Sequence, residues 1–354
     1  MSVYRRRVMQ VKHPPNQITA VYNVTSTTSA TPLCASTTPI KSIIIDGENV
    51  GVVQSYTFSA PGNHEVCFII DNNVTNFTNF FNGITSLISA NFSEFKNSIV
   101  TANTMFGGCS SLSKIEGASN LHKGDLRIAS FMFYGCSSLN EIDVSSWDMG
   151  NTTNLYYMFC GCGALTKLDT SKWILSNATN IGYLFYECRV LSELDTSKWD
   201  LGAVTSANYA FYQCRALSHI DTSSWDLGAV KDTRYMFGRC VTLNGIDVST
   251  WGMGNLTDAR YMFENCIALT KLDASNWDLK NVTKTSYMFA YCPKLDELRF
   301  NTELSSSYSK DSTTISGTGT DSPKLYYYPH ASFVEKFLPI FPAKWTKIDI
   351  TTLE

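Results

Sequence analysis

The sequence predicts an α/β solenoid: a stack of about eight strand-turn-helix coils around a parallel sheet, with a small β-rich cap domain in front. Three periodic columns carry that prediction. Cys136, Cys162, Cys188, Cys214, Cys240, Cys266 and Cys292 follow one another at 26 residues. Trp147, Trp173, Trp199, Trp225, Trp251 and Trp277 keep the same interval, as do Phe133, Phe159, Phe185, Phe211, Phe237, Phe263 and Phe289. A fixed period of this length marks an architecture in which each unit stacks on the next. The unit reads Tyr-Met-Phe-x-x-Cys-x-x-Leu-x-x-(Leu/Ile)-Asp-x-Ser-x-Trp-Asp-(Leu/Met)-x-Asn-Val-Thr, clearest from Tyr261 to Thr283. Degenerate units around Phe106, Cys109, Leu112 and Ile115, and around Phe81, Ile84 and Leu87, put the start of the array near residue 72.

Residues 1–17 form a basic N-terminal arm containing Arg5, Arg6 and Arg7. Residues 18–71 read as the β-rich cap, because Ile18 to Val24, Lys41 to Ile45, Val52 to Ser59 and His64 to Ile70 are strand-like runs between Ser/Thr/Pro/Gly turns. Residues 72–300 are the repeat array. Within a coil, Ile181, Leu184, Phe185 and Cys188 recur at i, i+3, i+4 and i+7, as do Leu155, Met158, Phe159 and Cys162, which predicts a short helix. A Thr or Asp just upstream can cap it. Leu165, Leu168, Thr170, Trp173 and Leu175 then fit the template of a leucine-rich-repeat-like stack. Val144, Thr170, Thr196, Thr222, Val248 and Ala274 are small or β-branched, as the inner face of a strand wants.

No coil has enough core of its own, so stacking must bury the apolar sides. Strands about 4.8 Å apart make eight coils a rod or shallow arc about 40 Å long. Residues 301–323, rich in Ser, Thr and Gly, read as a mobile loop. Residues 324–354 read as a C-terminal cap with a strand at Lys324 to Tyr328 and a short helix at Ala331 to Leu338.

Composition closes several classes. The 354 residues are 44% hydrophobic and 13% aromatic, which excludes a disordered or collagen-like chain. With 28 Lys+Arg against 31 Asp+Glu there is no basic excess of the kind nucleic-acid binders carry. Apolar runs such as Val66 to Ile70 are far shorter than the roughly 18 residues of a membrane span, so no membrane insertion is expected. Arg5 to Arg7 are followed by Gln10, Lys12, His13 and two prolines rather than an apolar stretch, so no secretory signal is read. No lipidation cysteine is read at the end of the chain either. The arm is either a docking element for an acidic partner or a tail.

The repeated residues admit functional and structural readings. A cysteine ladder could be a disulfide framework, a metal array or a column of buried thiols. Identical neighbours give no unique pairing, and the five histidines show no repeat, which favours buried free thiols. Cys34 and Cys67 lie outside the repeat, and a disulfide between them stays open. Asp143, Asp169, Asp195, Asp221, Asp247 and Asp273 form a column that invites calcium. The alternative is that each accepts amide hydrogen bonds in its own Asp-x-Ser turn, and scarce glycine at those turns favours it.

The tryptophans could grip a sugar ring or an apolar partner, although recurrence in every coil favours a half-buried structural column. Trp173, Trp199 and Trp225 are kept as candidate ligand contacts. The variable positions are better candidates: Tyr186, Arg189, Tyr212, Arg215 and Arg239, with Glu187 and Tyr291, on the helix side, and Glu141, Lys167, Glu193, His219 and Lys271 beside the strands. The sequons at Asn151, Asn177, Asn255 and Asn281 share one repeat position, which suggests a turn or capping role over glycosylation. With no phosphate loop, G-x-S-x-G elbow or H-E-x-x-H, the expectation is a non-enzyme without cofactor or metal.

The run Tyr-Met-Phe-x-x-Cys-x-x-Leu-x-x-Leu-Asp-x-Ser-x-Trp-Asp closely resembles the 26-residue repeat of BspA-like leucine-rich repeat surface proteins of Bacteroidales, mycoplasmas and related microbes, over about residues 72 to 300. Ile18 to Ile70, with Ser55-Tyr-Thr-Phe-Ser-Ala-Pro-Gly-Asn-His64, resembles the β-rich leader of such arrays. Leu325-Tyr-Tyr-Tyr-Pro329 through Trp345-Thr-Lys-Ile348 resembles their closing segment. The resemblance implies a non-enzymatic scaffold for adhesion or recognition, often of host proteins or glycans. Met1-Ser-Val-Tyr-Arg-Arg-Arg-Val-Met also resembles the starts of Bacteroidales phage and prophage structural genes. The expectation is therefore a virion component, a fibre, decoration or receptor-binding protein on the phage particle, with other virion proteins or a host surface protein or glycan as partners. The alternative is a Bacteroidales cell-surface adhesin or an intracellular protein-interaction scaffold.

Overall fold

The computed structural model describes residues 16–352, so Arg5, Arg6 and Arg7 lie outside the described residues. The chain opens with β1 (Gln17–Val24), whose alternating burial puts Ile18, Ala20, Tyr22 and Val24 into the core. β2 (Thr31–Pro32), β3 (Ile40–Ile45), β4 (Glu48–Gly51), β5 (Ser55–Tyr56) and β6 (Gly62–Ile70) complete the cap. β7 (Leu87–Asn91) and β8 (Lys114–Glu116) belong to the first coils. The cap and these coils share one six-stranded sheet, ordered β4-β3-β6-β1-β7-β8. β1 pairs antiparallel with β6 on one side and β7 on the other, while β7 and β8 pair parallel. An open solenoid would end on a bare strand edge, a template for unwanted pairing. β1 covers that edge, so the expected boundary near residue 71 is continuous sheet.

The array is a β-solenoid of about ten turns with parallel strands. Its strands are β9 (Lys167–Leu168), β10 (Glu193–Leu194), β11 (Lys271–Ala274), β12 (Glu297–Phe300), β13 (Lys324–Tyr327) and β14 (Thr346–Asp349). β9 pairs with β10, and β11 through β14 form a four-stranded parallel sheet in the order of the chain. The count exceeds the expected eight coils because both ends continue the stack.

The strand-turn-helix coil is corrected: the segments read as short helices are tandem turns. An α-helix spends each amide on the carbonyl four residues back. Here alternate amides leave the coil. Met158 N, Cys160 N and Cys162 N donate to Leu155 O, Tyr157 O and Phe159 O at 3.0, 3.2 and 3.1 Å. Leu155 N, Tyr157 N, Phe159 N and Gly161 N instead donate to Asn180 O, Gly182 O, Leu184 O and Tyr186 O of the next coil, at 2.7–3.1 Å. Tyr157 (φ 61°) and Gly161 (φ 76°) break the right-handed path, each the third residue of a turn, where a type II turn needs positive φ. Apolar side chains still fall at i, i+3, i+4 and i+7, so the stripe looks helical although its hydrogen bonds run between coils.

The core follows the periodic columns. Trp147 through Trp251 are 0% exposed and Trp277 is 1%. The cysteines are free, and each repeat thiol donates to the carbonyl of a Phe in the preceding coil, as Cys188 Sγ does to Phe159 O at 3.1 Å. Burial pushes these thiols up, Cys240 and Cys292 to about 12. Cys34 and Cys67 are also free, which closes the disulfide left open between them. The segment 301–323 is irregular and packs onto the last turns: it buries Leu304, Tyr308 and Ile315, and Thr314 O and Ser316 O accept from Phe289 N and Tyr291 N at 2.8 Å. The closing helix is irregular, a π turn over Phe333–Phe337 that runs on into a 3-10 turn over Leu338–Ile340.

Candidate recognition surface

Several rows of each coil reach solvent, and three of them are engaged by the scaffold itself. At the Asp-x-Ser turn, Asp169 Oδ1 accepts from Ser171 N at 3.0 Å and Ser171 Oγ at 2.6 Å, and Asp195 and Asp221 do the same with Ser197 and Ser223. These hydrogen bonds hold the Asp169 and Asp221 carboxyls below their usual range. The column thus caps turns, as the residues suggested. The sequon asparagines tie coils together: Asn177 Nδ2 donates to Gly150 O at 2.6 Å, and Asn151, Asn255 and Asn281 repeat the bond to Gly124, Gly228 and Gly254. Beside the strands, register places Lys167 opposite Glu193, Lys271 opposite Glu297 and Glu297 opposite Lys324. Alternating signs across a parallel ladder support pairing. Glu141 and His219 stand in the same row, exposed.

A further row lies on the tandem turns. Phe131, Tyr157, Tyr183, Tyr209, Tyr235, Tyr261 and Tyr287 stack ring on ring with centroids 4.2–4.9 Å apart. Each is half-buried and each Tyr sits at positive φ. Their edges, not their faces, meet water. Beside them the structure gathers five of the sequence-derived candidates. Tyr186 and Tyr212 stack at 5.2 Å, and the Arg239 guanidinium lies 5.8 Å from the Tyr212 ring centre. Arg189 donates to Glu187 at 2.9 Å, Arg215 to Gln213 at 2.6 Å, and Arg239 reaches Glu264 at 3.4 Å. Burial, then the Glu187 charge, pushes the Tyr186 phenol up to about 12. Burial raises Glu264 despite Arg239.

One feature of this patch escaped the sequence reading. The second left-handed position of each coil is Gly83, Gly108, Gly135 and Gly161 in the early coils, but Glu187, Gln213, Arg239, Asn265 and Tyr291 in the later ones, all at φ 58–60°. A non-glycine residue there costs about 1 kcal/mol or more. The signal was present, since glycine at that phase in four coils marks a position that wants no side chain.

Trp173, Trp199 and Trp225 are corrected as ligand contacts. They stack at 6.0 and 5.8 Å inside the core and present no surface to a ligand. A ring that packs against its equivalents above and below in every coil is enclosed by the stacking itself. No group of three or more His, Cys, Asp or Glu among the described residues is arranged to hold a metal ion. No helix among them is long and apolar enough to cross a membrane.

Coils that share one backbone path and differ on their outer rows define a parallel β-solenoid repeat protein. The chain belongs to the family described as "Mycoplasma protein of unknown function, DUF285", whose model matches residues 116–222 and 210–316, more than half of the chain. The tandem match and the repeat solenoid fit the BspA-like resemblance. No curated protein matches the chain.

Proposed function

We propose that this protein is a non-enzymatic recognition scaffold, consistent with a protein-binding or surface repeat protein, and that the Tyr/Arg patch on its later coils is the face that binds. The observation that carries this reading is the left-handed row. Glu187, Gln213 and Arg239 occupy positions where glycine is unstrained and where earlier coils have glycine. Strain retained next to the half-buried Tyr186 and the exposed Arg189, Arg215 and Arg239 is what a selected contact surface looks like. Tyr and Arg are also the side chains that dominate binding energy in interfaces. We further propose display on a phage particle, with a host surface protein or glycan as ligand. A bacterial cell surface is the alternative.

The test compares the labelled full chain with a variant carrying Glu187→Gly, Gln213→Gly and Arg239→Gly for binding to intact Bacteroidales cells. The variant is expected to gain stability and lose at least tenfold in binding. Equal binding by both sinks this face. Mass spectrometry of purified phage particles beside fractionated cells tests the location, and absence from particles removes the virion reading.

A further inference from the structure

A second departure from the repeat lies at the Trp turn. The residue after the tryptophan is Asp148, Asp200, Asp226 and Asp278 in four coils, and each carboxylate accepts the amide two residues on, from Gly150, Gly202, Gly228 and Lys280 at 2.8–3.2 Å. In the coil of Trp173 that residue is Ile174, 48% exposed, with no oxygen for the Ser176 amide. The residue before the tryptophan departs in the same place. Ser224, Thr250 and Asn276 tie back to the preceding coil through Trp199 O, Thr222 O and Ser249 O at 2.9–3.3 Å. Their equivalents in two neighbouring coils are Lys172 and Lys198, both exposed and neither in an ion pair among the described residues.

These three departures converge. Ile174, Lys172 and Lys198 line one open recess of about 530 Å³ together with Ser171 and Asp148. Ser171 is engaged with Asp169, and Asp148 with the Gly150 amide. Two turns have thus given up hydrogen bonds to expose one apolar side chain beside two cations held in no close ion pair, Lys172 acting on Asp169 only at longer range. We propose that this recess docks an acidic peptide segment of a partner protein, one that sets an apolar side chain on Ile174 and a carboxylate between Lys172 and Lys198. The inference rests on the recognition reading and adds a contact point on a different corner of the coil from the Tyr/Arg patch.

The experiment titrates methyl-labelled full-length protein with the blocked peptide Gly-Ser-Leu-Asp-Leu-Asp-Ser-Gly and with its Asn-for-Asp counterpart. Restoring the neighbouring coils' residues makes fold-safe controls: Ile174→Asp, which also assigns the methyl signal, and the pair Lys172→Ser with Lys198→Ser. The expected result is a saturable shift of the Ile174 methyl with the acidic peptide, at least tenfold weaker binding of the Asn peptide, and at least tenfold loss in the lysine pair. No shift at millimolar peptide overturns the proposal. So does equal affinity for the Asn peptide, binding retained by Ile174→Asp, or capture of phosphatidylserine vesicles without a peptide shift. Unchanged cell binding by the glycine variant with an intact peptide shift would fault the Tyr/Arg patch alone. The reverse would fault the recess alone.

Discussion

The tryptophan and tyrosine columns share one period, yet one is core and the other surface. Trp173, Trp199 and Trp225 stack at 5.8–6.0 Å, are wholly enclosed, and touch the Phe185 and Phe211 rings as well. Tyr183, Tyr209 and Tyr235 stack more tightly, both steps at 4.6 Å, and remain half-exposed. The tighter spacing accompanies left-handed turn residues whose amides bond directly to the coil above. The looser one belongs to rings with a second aromatic layer to fill against. Periodicity therefore identifies which residues are equivalent; the backbone decides which side of the wall they face.

The largest effect should come from breaking the enclosed column. Trp199→Ala empties a site bounded by four rings and should cost about 3–5 kcal/mol in urea unfolding. Tyr209→Ala should cost about 1 kcal/mol, the scale of one or two aromatic pairs. Equal losses would show that the columns are energetically alike.

The two columns should also fail at opposite ends of the pH scale. His122 stacks on Trp147 at 5.7 Å, its Nδ1 accepts the Gly124 amide, and its Nε2 is buried without a partner. Burial holds its pKa below the ordinary value, so the folded state favours the neutral ring. The associated stability is complete above about pH 6.5 and falls as pH drops from there through the folded-state value. Tryptophan fluorescence should report this loss, and His122→Asn, which keeps an acceptor for Gly124, should flatten it. Burial raises the phenols of Tyr183 and Tyr209, so the tyrosine column should weaken as pH climbs beyond about 10. Absorbance at the phenolate band, followed with unfolding, checks this.

Smaller still is the effect of the turn conformation. Tyr209→Gly loses the same ring as Tyr209→Ala but relieves the positive φ, and should recover about 1 kcal/mol of the loss. Ser171→Ala removes one hydrogen bond from Asp169 and should cost about 0.5–1 kcal/mol near neutral pH. Because that carboxyl is held below its usual range, the difference should fade as pH falls below about 4.

Much of this was legible in the chain. The Cys, Trp and Phe columns and the Asp-x-Ser caps are local or strictly periodic signals that do what their chemistry suggests, whereas the asparagine ladder, read as turn capping, instead ties each coil to the one before. The helices were not legible correctly. Leu155, Met158, Phe159 and Cys162 have helical spacing in tandem turns too, and the deciding bonds join Tyr157 to Gly182 and Phe159 to Leu184. No window along the chain contains both partners. Tyr186, Arg189, Arg215 and Arg239 were singled out because they vary, and Tyr212 with them although its side chain is buried. The tryptophans were drawn in by aromaticity alone. Ile174 was missed because one apolar residue among polar ones carries no periodic signal; only its exposure makes it conspicuous.

The thiol ladder has a practical consequence. Cys109 and the seven cysteines spaced at 26 residues from Cys136 to Cys292 each rest against a carbonyl of the coil before, with Sγ to oxygen distances of 2.9–3.2 Å. A thiol-reactive dye should find them silent in the native protein and reach each one only when its own coil lifts away. The number of these eight cysteines labelled after a pulse, mapped by peptide apart from Cys34, Cys67 and Cys160, would count opened coils and show from which end the stack unzips. The chain thus carries an internal gauge of its own fraying, one mark per coil.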